Sequence, residues 1–291
     1  FRFLFEGATV FTDTLPPGIR ARALGAGERV GSFDVFDALV SGSIDAAYTF
    51  PYYWKSRHGG LSVLTNLPFG PDAVDLLRWR LSPEGEAAAD EVYGQFGLKG
   101  LVCGIVPAQA DFWMHRPVIS PADLRGRKVR IPGVMGDVFV NAGGSAVSIP
   151  GSQILPSLEA RALDGVNWMG PAMDRAMRLD RVAAHYYYPG VLEPATAIDL
   201  MIRQDVWQRL GAGGQQALRH SCARAIDWML AEFGKADSEA LEVIRSRGIV
   251  VSPLPLDVRR HLYDAADLML VQYRADPKFR RTHDSLRRFM A

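Results

Sequence analysis

SLEARALDGVNWM at 157–169 and ALVSGSIDAAYTF at 38–50 share one layout. Each reads as a helix end, a small residue or turn, a short apolar strand, then an aspartate and a small residue. The two aspartates, Asp45 and Asp164, are 119 residues apart. One helix-to-strand unit used twice at that distance predicts two similar α/β lobes, since a solenoid would repeat at a shorter period. Ligands of α/β sheets collect at the carboxyl ends of strands, and both units run into an aromatic or amide-rich turn there. That places a cleft between the lobes, lined by 48–54 and 167–171.

Outward from these units, periodicity and capping residues give the other elements. A helix is expected over 1–13, ended by Pro16, Pro17 and Gly18. Residues 19–24 alternate apolar and basic side chains and read as a strand. Ser32 reads as the N-cap of a helix over 33–40, stopped by Gly42. A short strand follows at 44–48. Residues 71–96 are mostly helical, with Ser82-Pro83 opening the second helix. The apolar run LVCGIV (101–106) predicts a buried strand. A helical turn at 121–124 precedes the strand KVRI (128–131), stopped by Pro132-Gly133. Helix, strand and helix continue through Ala160, and a return strand lies at 197–202. A long helix is expected over 215–247, weakened at Gly234, then two amphipathic helices around Pro277.

The 291 residues are 48% hydrophobic and 22% charged, with 33 basic and 32 acidic side chains and a formal net charge of +1. That apolar content excludes a disordered chain, and the length favours two lobes. The even charge balance argues against nucleic-acid binding. The longest uncharged stretch, 138–158, is broken by Gly143, Gly144, Pro150, Gly151 and Pro156, so it is no membrane span. The opening FRFLFEGATVF reads as the middle of a helix with no signal peptide before it, so the numbered chain reads as a processed or trimmed product. Cys103 and Cys222 form no metal pattern and read as buried free thiols; a disulfide would suit an oxidising compartment.

Catalytic motifs are mostly absent. The six histidines are scattered singly, without HExxH or a Cys/His cluster, which argues against a zinc enzyme. GAGERVG (25–31) lacks the glycine spacing of a dinucleotide site. Arg130 is the most informative charge, because a guanidinium at a strand end beside a cleft suits a carboxylate; the alternative is a surface arginine with an ion-pair partner. The aromatic clusters 50–54, 112–113 and 186–190, with Trp168, are either core packing or ligand walls, and Tyr52, Tyr53 and Trp168 are the candidates for the second role. Gln109, at the exit of a buried strand, is either a site amide or a solvent-facing one.

PADLRGRKVRIPG (121–133), GSQILPSLEARALDGVNWMGP (151–171) and HYYYPGVLEP (185–194) resemble the solute-binding receptors of tripartite ATP-independent periplasmic (TRAP) transporters, of the DctP-like kind. The likeness is closest to the branch that binds 2-oxoacids and related small carboxylates. It extends over nearly the whole chain from Ile19, including 27–54, LPFG (67–70) and the Gln109-x-x-x-Trp113 spacing. The resemblance implies an α/β, two-lobed periplasmic-binding-protein-like fold with a ligand cleft between lobes and a long connecting helix. Lobe I would comprise 1–107 and 194–233, its first strand missing; lobe II would comprise 108–193 and 234–291 with the C-terminal helices. Arg130 matches the family's carboxylate-binding arginine. Gln109 matches a glutamine that helps to hold ligand and a bound cation, Trp168 matches the tryptophan of an acidic-Trp pair, and Tyr52 and Tyr53 fall in an aromatic loop.

One position departs from that pattern: Asn167 stands where the branch carries Glu. A co-bound Na+ or Ca2+ held by Gln109 and Trp168 would lose a full charge from its shell, which predicts ligand binding that needs no divalent metal. Asp111 is a nearby carboxylate that could compensate. The function implied is that of a periplasmic receptor, not an enzyme, which binds a small organic acid and delivers it to TRAP membrane components. Two other readings are an enzyme on the same scaffold, using Cys103 or a lone histidine, and the sensor domain of a signalling receptor. Phe279, Leu286 and Phe289 form an apolar stripe that suits either a homodimer through the C-terminal helix or packing on the chain's own lobe.

Overall fold

A computed structural model describes residues 2–107 and 109–291, the side chain of Arg2 excepted. Among the described residues nine strands form two sheets: β1 (Ala46–Thr49), β2 (Leu98–Val106), β3 (Phe112–Met114), β4 (Lys128–Arg130), β5 (Ser145–Val147), β6 (Gly165–Val166), β7 (His185–Tyr187), β8 (Thr196–Arg203) and β9 (Val250–Ser252). The first sheet is antiparallel, in the order β1-β8-β2, and the second is mixed, in the order β5-β4-β6-β3-β7-β9. Helices cover both, giving the two-lobed α/β architecture expected.

The chain crosses between the sheets three times, from β2 to β3, from β7 to β8 and, through a long helix, from β8 to β9, and the first two crossings pair with each other. β2 lies antiparallel to β8 in the first sheet, and β3 lies antiparallel to β7 in the second. Between them the ladder continues: Gln109 N–H donates to Glu193 O (3.3 Å), Gly190 N–H to Gln109 O (2.9 Å) and Asp111 N–H to Tyr187 O (2.9 Å). A two-stranded ribbon therefore joins the lobes. β2 is buried along its whole length, as its apolar run requires. The helix Gly211–Ser246, 36 residues long, packs on β2 in the first lobe and on the helix Pro171–Ala176 in the second. It runs about 54 Å. Contact with β2 is close at Gly104, where a Cβ would sit 2.8 Å from Met229 Sδ.

Local signals hold where a capping group or a neighbour supports them. Ser82 accepts a hydrogen bond from Gly85 N–H (3.1 Å) and Pro83 takes the first turn of the helix Pro83–Gly94. The long helix passes through Gly234 unbroken. Three expectations need correction. Residues 19–24 form no strand; alternation alone does not make one where no neighbouring strand supplies ladder partners. The expected helix at 33–40 starts at Val35, with Asp34 and not Ser32 at its N-cap. Cys103 and Cys222 are not free thiols but a disulfide, S–S 2.14 Å, which staples β2 to the long helix. Of the two alternatives for the C-terminal stripe, packing on the chain itself is the one seen: Phe279, Leu286 and Phe289 pack into the first-lobe core, because the helix Pro277–Met290 lies on the helices Gly60–Thr65 and Pro83–Gly94, and it also touches the helix Leu256–Arg274. The stripe is covered by the chain itself and is not a free dimer surface.

Behind the loop at 167–170 lies a buried acid, Asp174. It accepts hydrogen bonds from Trp113 Nε1 (2.8 Å) and Met169 N–H (3.1 Å). Burial pushes its carboxyl up from the ordinary 3.8 to about 7, against those hydrogen bonds. A folded-state pKa above the unfolded one means that folding takes up a proton, so this group's contribution to stability is full near pH 4 and declines as pH rises through about 7. Asp174→Asn is expected to flatten the fall in stability between pH 5 and 8 by up to about one proton, or about 1.4 kcal/mol per pH unit. Urea unfolding midpoints across that range check this, and parallel pH profiles for variant and parent would refute it.

Candidate functional site

Arg130 is the last residue of β4, and Asn167 follows β6 directly. β4 and β6 are parallel neighbours, and Asn167 N–H extends their ladder to Arg130 O (2.9 Å). The two residues therefore end adjacent strands at the carboxyl edge of the sheet. Lys128, two residues earlier on the same strand, is exposed, whereas Arg130 is 1% exposed.

The guanidinium is held but not neutralised. Its Nη1 donates to Asn167 O (3.2 Å) and its Nε to Ile149 O (3.3 Å), while Nη2 has no partner. Its carbon lies 5.0 Å from the centre of the Trp168 ring, a cation–π distance. Among the described residues no carboxylate lies within ion-pair distance of it. A buried charge left with neutral partners is costly, so the alternative of a surface arginine with its own acid does not hold. The geometry suits a planar anion docking on the open edge.

The interlobe ribbon supplies the opposite wall. Gln109 is 3% exposed, so it is not a solvent-facing amide; its Nε2 donates to Thr196 Oγ1 (2.5 Å). Asn66 Nδ2 donates to Glu193 Oε2 (2.7 Å) and Thr196 Oγ1 (3.1 Å). Asn167 Nδ2 donates to Ala110 O and Asp111 O, at 3.3 and 3.2 Å, tying the second-lobe sheet to the ribbon. Burial pushes the Glu193 carboxyl up to about 7, opposed by the Thr196 hydrogen bond, the Arg130 charge and Asn167. Tyr52 is buried, stacked on Phe50 at 5.6 Å. Burial first, then the neighbouring Tyr53 and Glu193, raise its phenol, while Arg130 lowers it. Tyr53 packs edge-on against Tyr52 at 4.7 Å and buttresses it.

The lobes meet around this group. Lys55, on the first lobe, donates to Gly133 O (3.0 Å) and pairs with Asp137 on the second, where Tyr273 also donates to Asp137 (2.5 Å). Gly133 has φ +66°, and a Cβ there would lie 3.2 Å from the Tyr52 ring. The turn after Arg130 thus admits the first-lobe aromatic only because it is glycine.

The structure brings together Arg130, Gln109, Asn167, Trp168 and Tyr52, with Tyr53 behind. Asp111 lies beside them: its Oδ1 accepts from Val191 and Leu192 N–H (2.8 and 2.9 Å), holding the 190–193 turn, while its buried Oδ2 has no partner among the described residues. Glu193, Thr196 and Asn66 are the residues that sequence reasoning missed. Glu193 carried a usable signal, as the one Asp, Glu, Lys or Arg between Arg181 and Asp199. Cys103, on which a catalytic reading leaned, is disulfide-bonded.

Two α/β lobes joined by a paired ribbon, with an anion-ready guanidinium buried where they meet, define a cleft-type solute-binding protein. The chain belongs to the bacterial extracellular solute-binding proteins of family 7, whose profile matches residues 19–275. It is 30% identical over 233 residues to a monocarboxylate 2-oxoacid-binding periplasmic protein of a Nostoc species, covering 80% of this chain and 64% of that protein. The chain thus spans somewhat under two thirds of that relative's length. A TRAP periplasmic solute-binding protein of Pseudoalteromonas atlantica, solved with bound sodium and pyruvate, superposes with a TM-score of 0.94 at 25% identity, over 99% of this chain and 90% of that one. A TRAP transporter solute-binding protein of Bordetella bronchiseptica, with copurified calcium and picolinate, gives 0.92 at 27% identity, over 99% and 85%. Among the described residues, no helix is long and apolar enough to cross a membrane.

Proposed function

We propose that this chain is a periplasmic receptor that binds a small monocarboxylate of the 2-oxoacid class and delivers it to the membrane components of a TRAP transporter. The observation that carries the reading is the Arg130 guanidinium, buried, without a carboxylate partner and with Nη2 open. A carboxylate ligand completes it, each charge-assisted hydrogen bond contributing about 1.5–3 kcal/mol. Trp168 and Tyr52 exclude water from that pair, which strengthens it. Residues 1–107 with 194–233 move as one lobe and 108–193 with 234–276 as the other, the last helix travelling with the first. Ligand shifts the open–closed equilibrium by its preference for the closed form. The sodium and pyruvate of the Pseudoalteromonas relative support this ligand class. Mass spectrometry of small molecules released from the purified protein, followed by calorimetric titration of pyruvate, tests it; failure to bind any short 2-oxoacid would remove the reading.

The residues also fit a small hard cation. Among the described residues no group of three or more His, Cys, Asp or Glu is placed for a metal, so the donors would be mixed oxygens. Gln109 has its amide nitrogen tied to Thr196, which leaves its carbonyl oxygen for the site. Glu193 supplies the carboxylate that position 167 lacks. Gln109 and Glu193, with the main-chain carbonyl of Trp168, would hold the ion, which when bound would supply positive charge to ligand oxygens. With one carboxylate in the set, a singly charged ion is favoured. Pyruvate affinity is expected to stay within about tenfold on chelation and to fall by about tenfold or more, roughly 1.4 kcal/mol, when sodium is replaced by a large organic cation. Calorimetry in matched buffers checks both, and a greater loss on chelation would reverse the assignment.

A further inference from the structure

We propose that Thr196 is a positioning residue that decides which end of the Gln109 amide faces the ligand site; this rests on the reading of Gln109 as a site residue. Thr196 opens β8 and is fully buried. Its hydroxyl has one proton and two lone pairs, and it meets three neighbours. Glu193 Oε2 accepts from Asn66 Nδ2 at 2.7 Å. An amide N–H can only donate, so that oxygen accepts from Asn66, and as a carboxylate it has no proton to give in return. Thr196 Oγ1, 3.3 Å from the same oxygen, therefore gives it its one proton. Both Thr196 lone pairs are left to accept, from Asn66 Nδ2 at 3.1 Å and Gln109 Nε2 at 2.5 Å.

That polarity admits one orientation of Gln109. Turned over, its carbonyl oxygen would face a hydroxyl oxygen whose proton is already committed to Glu193, two acceptors in contact in a buried site. With the nitrogen fixed, the carbonyl oxygen is the free end, and it accepts no hydrogen bond from the described residues. An acceptor serves a cation or a ligand hydroxyl, whereas an NH2 group in its place would repel the cation. Thr196 sets the chemistry of the site without touching the ligand.

Thr196→Val keeps the shape and removes the hydroxyl; Thr196→Ala serves in its place if that variant does not fold, and Thr196→Ser is the conservative control. Pyruvate is titrated calorimetrically in sodium and in sodium-free buffer against wild type, each Thr196 variant, Gln109→Ala and the double variant. Thr196→Val is expected to weaken binding in sodium by about tenfold and to shrink the ratio between the two buffers, Thr196→Ser to restore both, and the Val substitution to cost nothing further in the Gln109→Ala background. Equal losses with and without Gln109 would make Thr196 merely structural and overturn the inference, as would unchanged affinity and sodium ratio in Thr196→Val. If Gln109→Ala itself binds pyruvate like wild type, the underlying reading of Gln109 fails instead.

Discussion

Arg130→Ala removes ligand binding while leaving the protein folded: pyruvate at saturating concentration no longer raises the melting temperature, and the affinity falls on the order of a hundredfold or more. The size follows from what the side chain does. Its Nε and Nη1 are already held by the carbonyls of Ile149 and Asn167, so the guanidinium is preorganised and the ligand need not order it. Deleting it takes away the charge that balances the ligand's. The fold tolerates the loss because no carboxylate is left stranded; the backbone ladder between β4 and β6 does not involve the side chain. Arg130→Lys binds poorly as well, since an ammonium cannot keep both carbonyl contacts and present a flat edge. A ligand-induced melting shift retained in Arg130→Ala would sink the assignment.

Loss of the Cys103–Cys222 bond has the largest expected effect on stability. The bond closes a loop spanning 119 residues, and it sits inside a cluster with Phe11, Leu218 and Ala225. Removing a cross-link of that span costs about 2–5 kcal/mol. For a chain of this size that lowers the melting temperature on the order of 10 °C. Both cysteines should be changed to alanine together, so that no lone thiol remains, and unfolding followed by circular dichroism. A double variant as stable as the parent would show that the bond constrains nothing in the unfolded chain. Pyruvate affinity should be little changed, because the bond lies within the first lobe and away from Arg130.

The sequence carried the elements that are decided locally and lost those decided across the chain. β2 was legible from its unbroken apolar run, the helix at 83–94 from Ser82-Pro83, and β4 from its stop at Pro132-Gly133. Arg130, Gln109 and Trp168 came from family motifs; composition and spacing alone left each with a bland alternative. What those alternatives needed was a neighbour, and neighbours are tertiary. That Arg130 has no acid beside it, or that Gln109 is covered, depends on where Asn167 and Thr196 come to lie. The strand expected at 19–24 failed for the same reason, since its alternation found no edge to pair with. The cysteines gave no spacing signal because their partners lie on a strand and a helix more than a hundred residues apart. Glu193 was visible as an isolated charge inside HYYYPGVLEP, but that stretch served only the resemblance and gave the carboxylate no role.

The contact of Lys55 with Asp137 differs in one respect from the contacts around Arg130: its side chains are 27% and 39% exposed. Dissolved ions reach it. The distance over which charges feel each other in solution is about 8 Å at 0.15 M salt and about 3 Å at 1 M, so this outer clasp loosens in brine while the dry interior does not register the change. Rising ionic strength is therefore expected to weaken the Lys55–Asp137 contact between the lobes and to leave the buried contacts around Arg130 little changed.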